Sequence, residues 1–131
     1  MASSSMNPLM LEWVEKAEGD FKTAQRELRA RSAPNFDAVC FHAQQTAEKY
    51  LKALLQEAGQ NIPKTHNLNE LLALCLKQDP SLAFLNPDLS VLEGYAVRFR
   101  YPGDSAEKSE ARATFKSVQA IRSFIRNKLG L

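Results

Sequence analysis

The chain has 131 residues, 44% of them hydrophobic and 24% charged, enough for one domain that buries roughly two-thirds of its unfolded surface. Its formal net charge of +2 is too small to hold nucleic acid non-specifically, so any such contact has to come from a local patch. No apolar run is long enough to span a membrane, and β-branched residues are few and show no sustained alternation, so no membrane span is expected and strands are poorly supported.

Residues 1–5 lack the basic start and apolar run of a secretory signal, so residues 1–6 read as a disordered lead to a single domain over 7–131. Asn7-Pro8 supplies an N-cap and a first-turn proline. The helix it opens carries Leu11, Val14, Ala17, Phe21, Ala24 and Leu28 on one stripe and ends near Arg31. After the Ser32-Ala33-Pro34-Asn35 turn, a second helix is predicted over 36–58, with Gly59 just beyond its end. Phe36, Val39, Cys40, Ala43, Ala47, Tyr50, Leu51 and Leu54 form its apolar arc.

Asn67 and Glu70 stand at capping-box spacing before a third helix that buries Leu68, Leu71, Leu72, Cys75 and Leu76. Asp79-Pro80 and Asn86-Pro87 are successive cap-plus-proline signals that leave room for little more than one turn between them. A fourth helix is predicted to carry Leu89, Leu92, Ala96 and Phe99 and to stop at Pro102-Gly103. Asp104 with Glu107 is a further capping box, opening a last helix with Ala111, Phe115, Val118, Ile121, Ile125 and Leu129, closed by Gly130. These elements predict an all-α, antiparallel up-and-down bundle of four main helices plus a short extra one. Cys40 and Cys75 both lie in apolar helical phase without a Cys-x-x-Cys spacing, so they read as buried thiols of a cytoplasmic protein rather than a disulfide.

Two groups of residues fall outside the core pattern. On the second helix, Ala38, Phe41, His42, Gln45, Lys49, Lys52 and Gln56 recur at three- and four-residue steps opposite the apolar arc. Phe41 there is either the rim of the core or, with Ala38 and Gln45, part of a dimer interface, with Lys49 and Lys52 bordering a cleft between subunits. The second group is Arg98-Phe99-Arg100-Tyr101-Pro102-Gly103-Asp104, with Tyr95 one turn before it. Its arginines either complement the negative end of a helix or, beside the tyrosines, receive phosphate and base.

Catalytic signatures are missing. There is no glycine-rich phosphate loop, no Gly-x-Ser-x-Gly elbow and no His-Glu-x-x-His, and the serines have no evident base partner. His42 and His66 lack the spacing and carboxylate companions of a zinc site, so neither a metal nor a cofactor is expected.

Phe41-His42-Ala43-Gln44-Gln45-Thr46-Ala47-Glu48-Lys49-Tyr50-Leu51-Lys52-Ala53-Leu54 resembles the second-helix signature of the HEPN domain family. His66-Asn67-Leu68 followed by Leu71-Leu72, and Tyr95 through Asp104 with Arg98 and Tyr101-Pro102, resemble its next two landmarks in order and spacing. The similarity runs from about Pro8 to Leu129.

The resemblance implies a helical bundle that forms homodimers through its middle helices. It also implies a minimal nucleotidyltransferase as partner, in a toxin–antitoxin-type pair, and a capacity to bind nucleotide or RNA. The family's ribonucleases carry a histidine a few residues after the arginine, where imidazole acts on the ribose 2′-hydroxyl. Here no histidine follows Arg98 or Arg100, so no catalytic residue carries over. Arg98, Arg100 and Tyr101, with Tyr95, Lys49, Lys52 and His42, carry over as nucleotide-binding groups. The competing expectations are a metal-independent ribonuclease using His42 as a displaced histidine, and a purely structural dimerisation domain.

Overall fold

The computed structural model describes residues 6–95 and 102–131. The chain folds into α1 (Pro8–Arg29), α2 (Phe36–Glu57), α3 (Leu68–Gln78), a 3₁₀ segment (Pro80–Leu85), α4 (Asn86–Leu92) and α5 (Lys108–Leu129), with no strand among the described residues. The helix starts obey local rules. Asn7 Oδ1 accepts from the backbone N–H of Leu9 and Met10, Asn35 caps Ala38, and Asn67 caps Glu70. At the far end Gly130 takes the left-handed conformation (φ 78°) that closes α5.

Side-chain pairs fix the direction of each helix. Asn7 and Trp13 reach Gln56, and Glu27 reaches the Asn35 backbone, so α1 and α2 form an antiparallel hairpin. Cys40 meets Thr114 and Tyr50 meets Arg126, so α5 runs parallel to α2 and antiparallel to α1. The 58–67 loop doubles back, bringing His66 to Glu48 and Cys75 to Leu51, and α3 therefore follows the direction of α2. The 3₁₀ segment and α4 return against α5, with Phe84 stacked on Phe124 and Tyr95 beside Glu110. The result is an up-down-up-down bundle with α3 laid against its second helix.

The centre of the bundle is α2. Val39, Cys40, Ala43, Ala47, Tyr50, Leu51 and Ala53 have no exposed surface, and Gln44, Thr46, Glu48 and Lys52 are buried with them. Flanking by α1, α3 and α5 explains why more than one arc of this helix is covered. Each large apolar side chain buried here contributes about 1.5–3 kcal/mol. Cys40 and Cys75 are both buried, and burial pushes the Cys75 thiol up to about 12, so it stays protonated and unreactive. No described helix is long and apolar enough to cross a membrane.

Several expectations need correction. Met10, fully buried, takes the core position expected of Leu11, which is 39% exposed. The fourth helix ends at Leu92 instead of continuing to Pro102, because Glu93 turns extended (ψ 131°) and Gly94 has φ 89°, a conformation that L side chains avoid. Ala96 and Phe99, expected on that helix, lie outside the described residues. The capping box of α5 is Glu107 with Glu110, one helical turn beyond the expected Asp104 with Glu107. Asp37 explains the delay by accepting from the Ala106 backbone N–H at 2.6 Å, which anchors the chain just before the helix.

Candidate functional site

Three carboxylates organise the charged side chains of the bundle. Asp20, on the α2-facing edge of α1, accepts from His42 Nδ1 at 2.7 Å and from Lys49 Nζ at 2.5 Å. Phe41 lies edge-on to His42, with ring centroids 5.2 Å apart, and remains 38% exposed. Ala38 and Gln45 flank it, half-buried, so the three expected interface residues do lie on one outer strip of α2.

Glu48 is the second carboxylate. Its side chain, 4% exposed, lies 3.1 Å from both Lys52 Nζ and His66 Nδ1. Lys52 is 7% exposed and its ammonium lies 5.5 Å from the centre of the Trp13 ring. It is therefore an inward ion pair rather than a cation on an open face. The Gln44 side-chain amide donates to the His66 carbonyl, so α2 also fixes the loop that carries His66.

Glu18 joins α1, α2 and α5. It receives two bonds of 2.7 Å from the Arg122 guanidinium and one from the Tyr50 hydroxyl, which in turn accepts from Arg126 Nη1 at 3.2 Å. Burial pushes the Glu18 carboxyl upward, but hydrogen bonds from Arg122 and Tyr50 and the charges of Arg122 and Arg126 outweigh it, leaving a net depression. Burial first, and then Glu18, push the Tyr50 hydroxyl up to about 12. Neither Asp20 nor Glu18 stands out in the sequence. The available signal is position: each stands beside a core residue of α1, Phe21 or Ala17, at an edge of the apolar stripe.

The second expected group is partly outside the described residues: Arg98, Arg100 and Tyr101 fall within 96–101. The flanks of that segment are well anchored. Tyr95 is 9% exposed and its hydroxyl donates to Glu110 at 3.3 Å, so its ring belongs to the core rather than to an open stacking surface. On the other side, Ala106 is tied to Asp37 and Glu107 N–H donates to Glu110 at 3.1 Å.

The bundle and its landmarks have counterparts among known proteins. The HEPN domain family model matches residues 10–128. TT1696 from Thermus thermophilus, known from a crystal structure, is similar at 27% identity with a TM-score of 0.76, covering 91% of this chain and 97% of that one. No curated protein matches the chain significantly.

Proposed function

The chain belongs to the HEPN domain family, and from that premise we propose that it is a non-catalytic member that dimerises and binds a nucleotide or an RNA end. Arg98 and Arg100 contact phosphate, and Tyr101 stacks on a base. The partner is a minimal nucleotidyltransferase, in a toxin–antitoxin-type pair. The dimer forms on the Ala38, Phe41 and Gln45 strip, where an aromatic ring 38% exposed is the apolar anchor.

The observation that carries the non-catalytic reading is that no histidine follows Arg98 or Arg100. Lys52 is buried in its pair with Glu48 and Lys49 is paired with Asp20, which favours Arg98, Arg100 and Tyr101 as the groups that meet the ligand. Calorimetric titration of a nucleoside monophosphate tests the assignment. Alanine at both Arg98 and Arg100 abolishes the heat of binding while helicity is retained; unchanged affinity refutes it.

One contact supports a competing reading. The Asp20 carboxylate, 2.7 Å from His42 Nδ1, orients the imidazole as a general base requires, and the His42 side chain is 28% exposed. A ribonuclease using this displaced histidine cuts RNA and loses the activity in His42→Ala.

A further inference from the structure

Three parallel helices stop at one end of the bundle: α2 at Glu57, α3 at Gln78 and α5 at Leu129. Between their last turns and the start of the 3₁₀ segment lies a pocket of about 170 Å³. Its inner wall is apolar. Leu55, Cys75, Leu82 and Leu129 are buried there, and Leu54 is half-buried beside them. Its rim is polar: Glu57, Gln78 and Lys128 are exposed and Asp79 is half-buried. A few polar groups around an apolar floor, between the helices of a bundle, is the usual anatomy of a small-molecule site. An apolar cavity of about 150 Å³ accommodates a benzene ring, so this one takes a ring or a branched alkyl group with a short arm.

The charge of the rim selects the polar end of the occupant. Two carboxylates, Glu57 and Asp79, face one ammonium, Lys128. Asp79 already holds that ammonium, with Oδ2 3.1 Å from Lys128 Nζ. Hydrogen bonds from Ser81 and Lys128 keep the Asp79 carboxyl below the usual carboxylate range, so it is ionised at neutral pH. Glu57 has no ion-pair partner among the described residues.

The backbone adds to the same sign. Each of the three helices directs the negative end of its dipole and its last carbonyls toward this end of the bundle. In α2 no basic residue stands in the last turn to offset that end. A carboxylate or phosphate ligand meets repulsion here, whereas an ammonium meets an uncompensated carboxylate.

We propose that this pocket binds a small hydrophobic amine in its ammonium form, with the aryl or branched alkyl group on the leucine floor and the charge at Glu57 and Asp79. Phenethylamine is the probe, compared with phenethyl alcohol and hydrocinnamate, which carry the same ring on a neutral and an anionic arm. Amide chemical-shift mapping by NMR locates each compound and gives its affinity. The variants are Glu57→Gln, Lys128→Gln and Ala58→Phe, the last placing a ring at the exposed rim, and circular dichroism checks that each remains helical.

Phenethylamine saturates at millimolar concentration or below and shifts amides in the last turns of α2, α3 and α5. Hydrocinnamate binds at least about tenfold more weakly. Glu57→Gln weakens the amine about three- to tenfold and leaves phenethyl alcohol unchanged, because only the charge contact is lost. Lys128→Gln releases Asp79 and tightens the amine by a similar factor, and Ala58→Phe weakens all three compounds. Absence of saturation at millimolar amine, or shifts centred elsewhere on the bundle, overturns the site. Hydrocinnamate binding as tightly as phenethylamine, or an amine affinity indifferent to Glu57→Gln and Lys128→Gln, overturns the assignment of an ammonium.

Discussion

Glu48 and Lys52 offer the sharpest energetic test of the bundle, because single and double substitutions are expected to differ in kind. Replacing Glu48 with leucine leaves the Lys52 ammonium, 7% exposed, against Trp13 without its carboxylate. Breaking a buried pair from one side costs about 3–5 kcal/mol, since one charge stays desolvated. For a domain of this length each kcal/mol is worth about 3–4 °C, so the melting temperature falls by about 9–20 °C. Lys52→Met alone costs less, about 1–3 kcal/mol, because Glu48 keeps His66 as a neighbour at 3.1 Å.

The double variant Glu48→Leu/Lys52→Met removes both charges and returns to within about 1 kcal/mol of wild type. Urea and thermal unfolding followed by circular dichroism measure all four corners of this cycle. If the double variant is as unstable as the sum of the singles, the two side chains do not act as a pair and the reasoning fails. Because the Lys52 ammonium is buried beside Trp13 and paired with Glu48, Lys52→Met should also leave nucleotide affinity within about twofold of wild type.

Other perturbations probe other parts of the molecule. The folded Glu18 carboxyl lies below its unfolded value, so its network stabilises the protein above the ordinary carboxylate range, near about 4.3, and loses that contribution as pH falls through the lower folded value. Glu18→Gln should therefore be less stable than wild type by about 1–2 kcal/mol at neutral pH, with the gap closing below about pH 4 in pH-resolved urea unfolding; a gap independent of pH refutes the ion-pair assignment. Gly94→Ala meets no atom within 4 Å, so its cost is purely conformational, about 1–2 kcal/mol, and no loss of stability would mean that the φ of 89° is not required. Phe41→Glu should shift sedimentation from dimer to monomer at unchanged helicity; an unaltered dimer places the interface elsewhere.

How much of this was legible in the sequence depended on whether the signal was local. Asn7 and Asn67 as caps, and Gly130 as a terminator, could be read directly, because each acts within one turn of itself. The pattern failed where two solutions lay close together. Met10 and Leu11 are adjacent apolar residues, and packing of α1 on α2 decided between them. Asp104 and Glu107 each stand three residues before a glutamate, and the tie from Asp37 to Ala106 selected the later one.

The charged framework was less legible still. Glu48 and Lys52 are four apart and look like an exposed helical pair, yet α1 and the loop carrying His66 close over them. Glu18 and Asp20 find their partners 104 and 22 residues away, a distance no periodicity reports. The family landmarks nevertheless mark both histidines and the 98–101 segment from the sequence alone.

Central to the proposed function is that this HEPN protein binds RNA or nucleotide and leaves it intact. Purified protein incubated with labelled RNA, resolved on a denaturing gel alongside His42→Ala, is the most direct measurement. Full-length RNA in both lanes, from samples in which anisotropy has already registered binding, is the result predicted. Cleavage by the wild type that disappears in His42→Ala would contradict it, and would make Asp20 and His42 the working centre of the molecule.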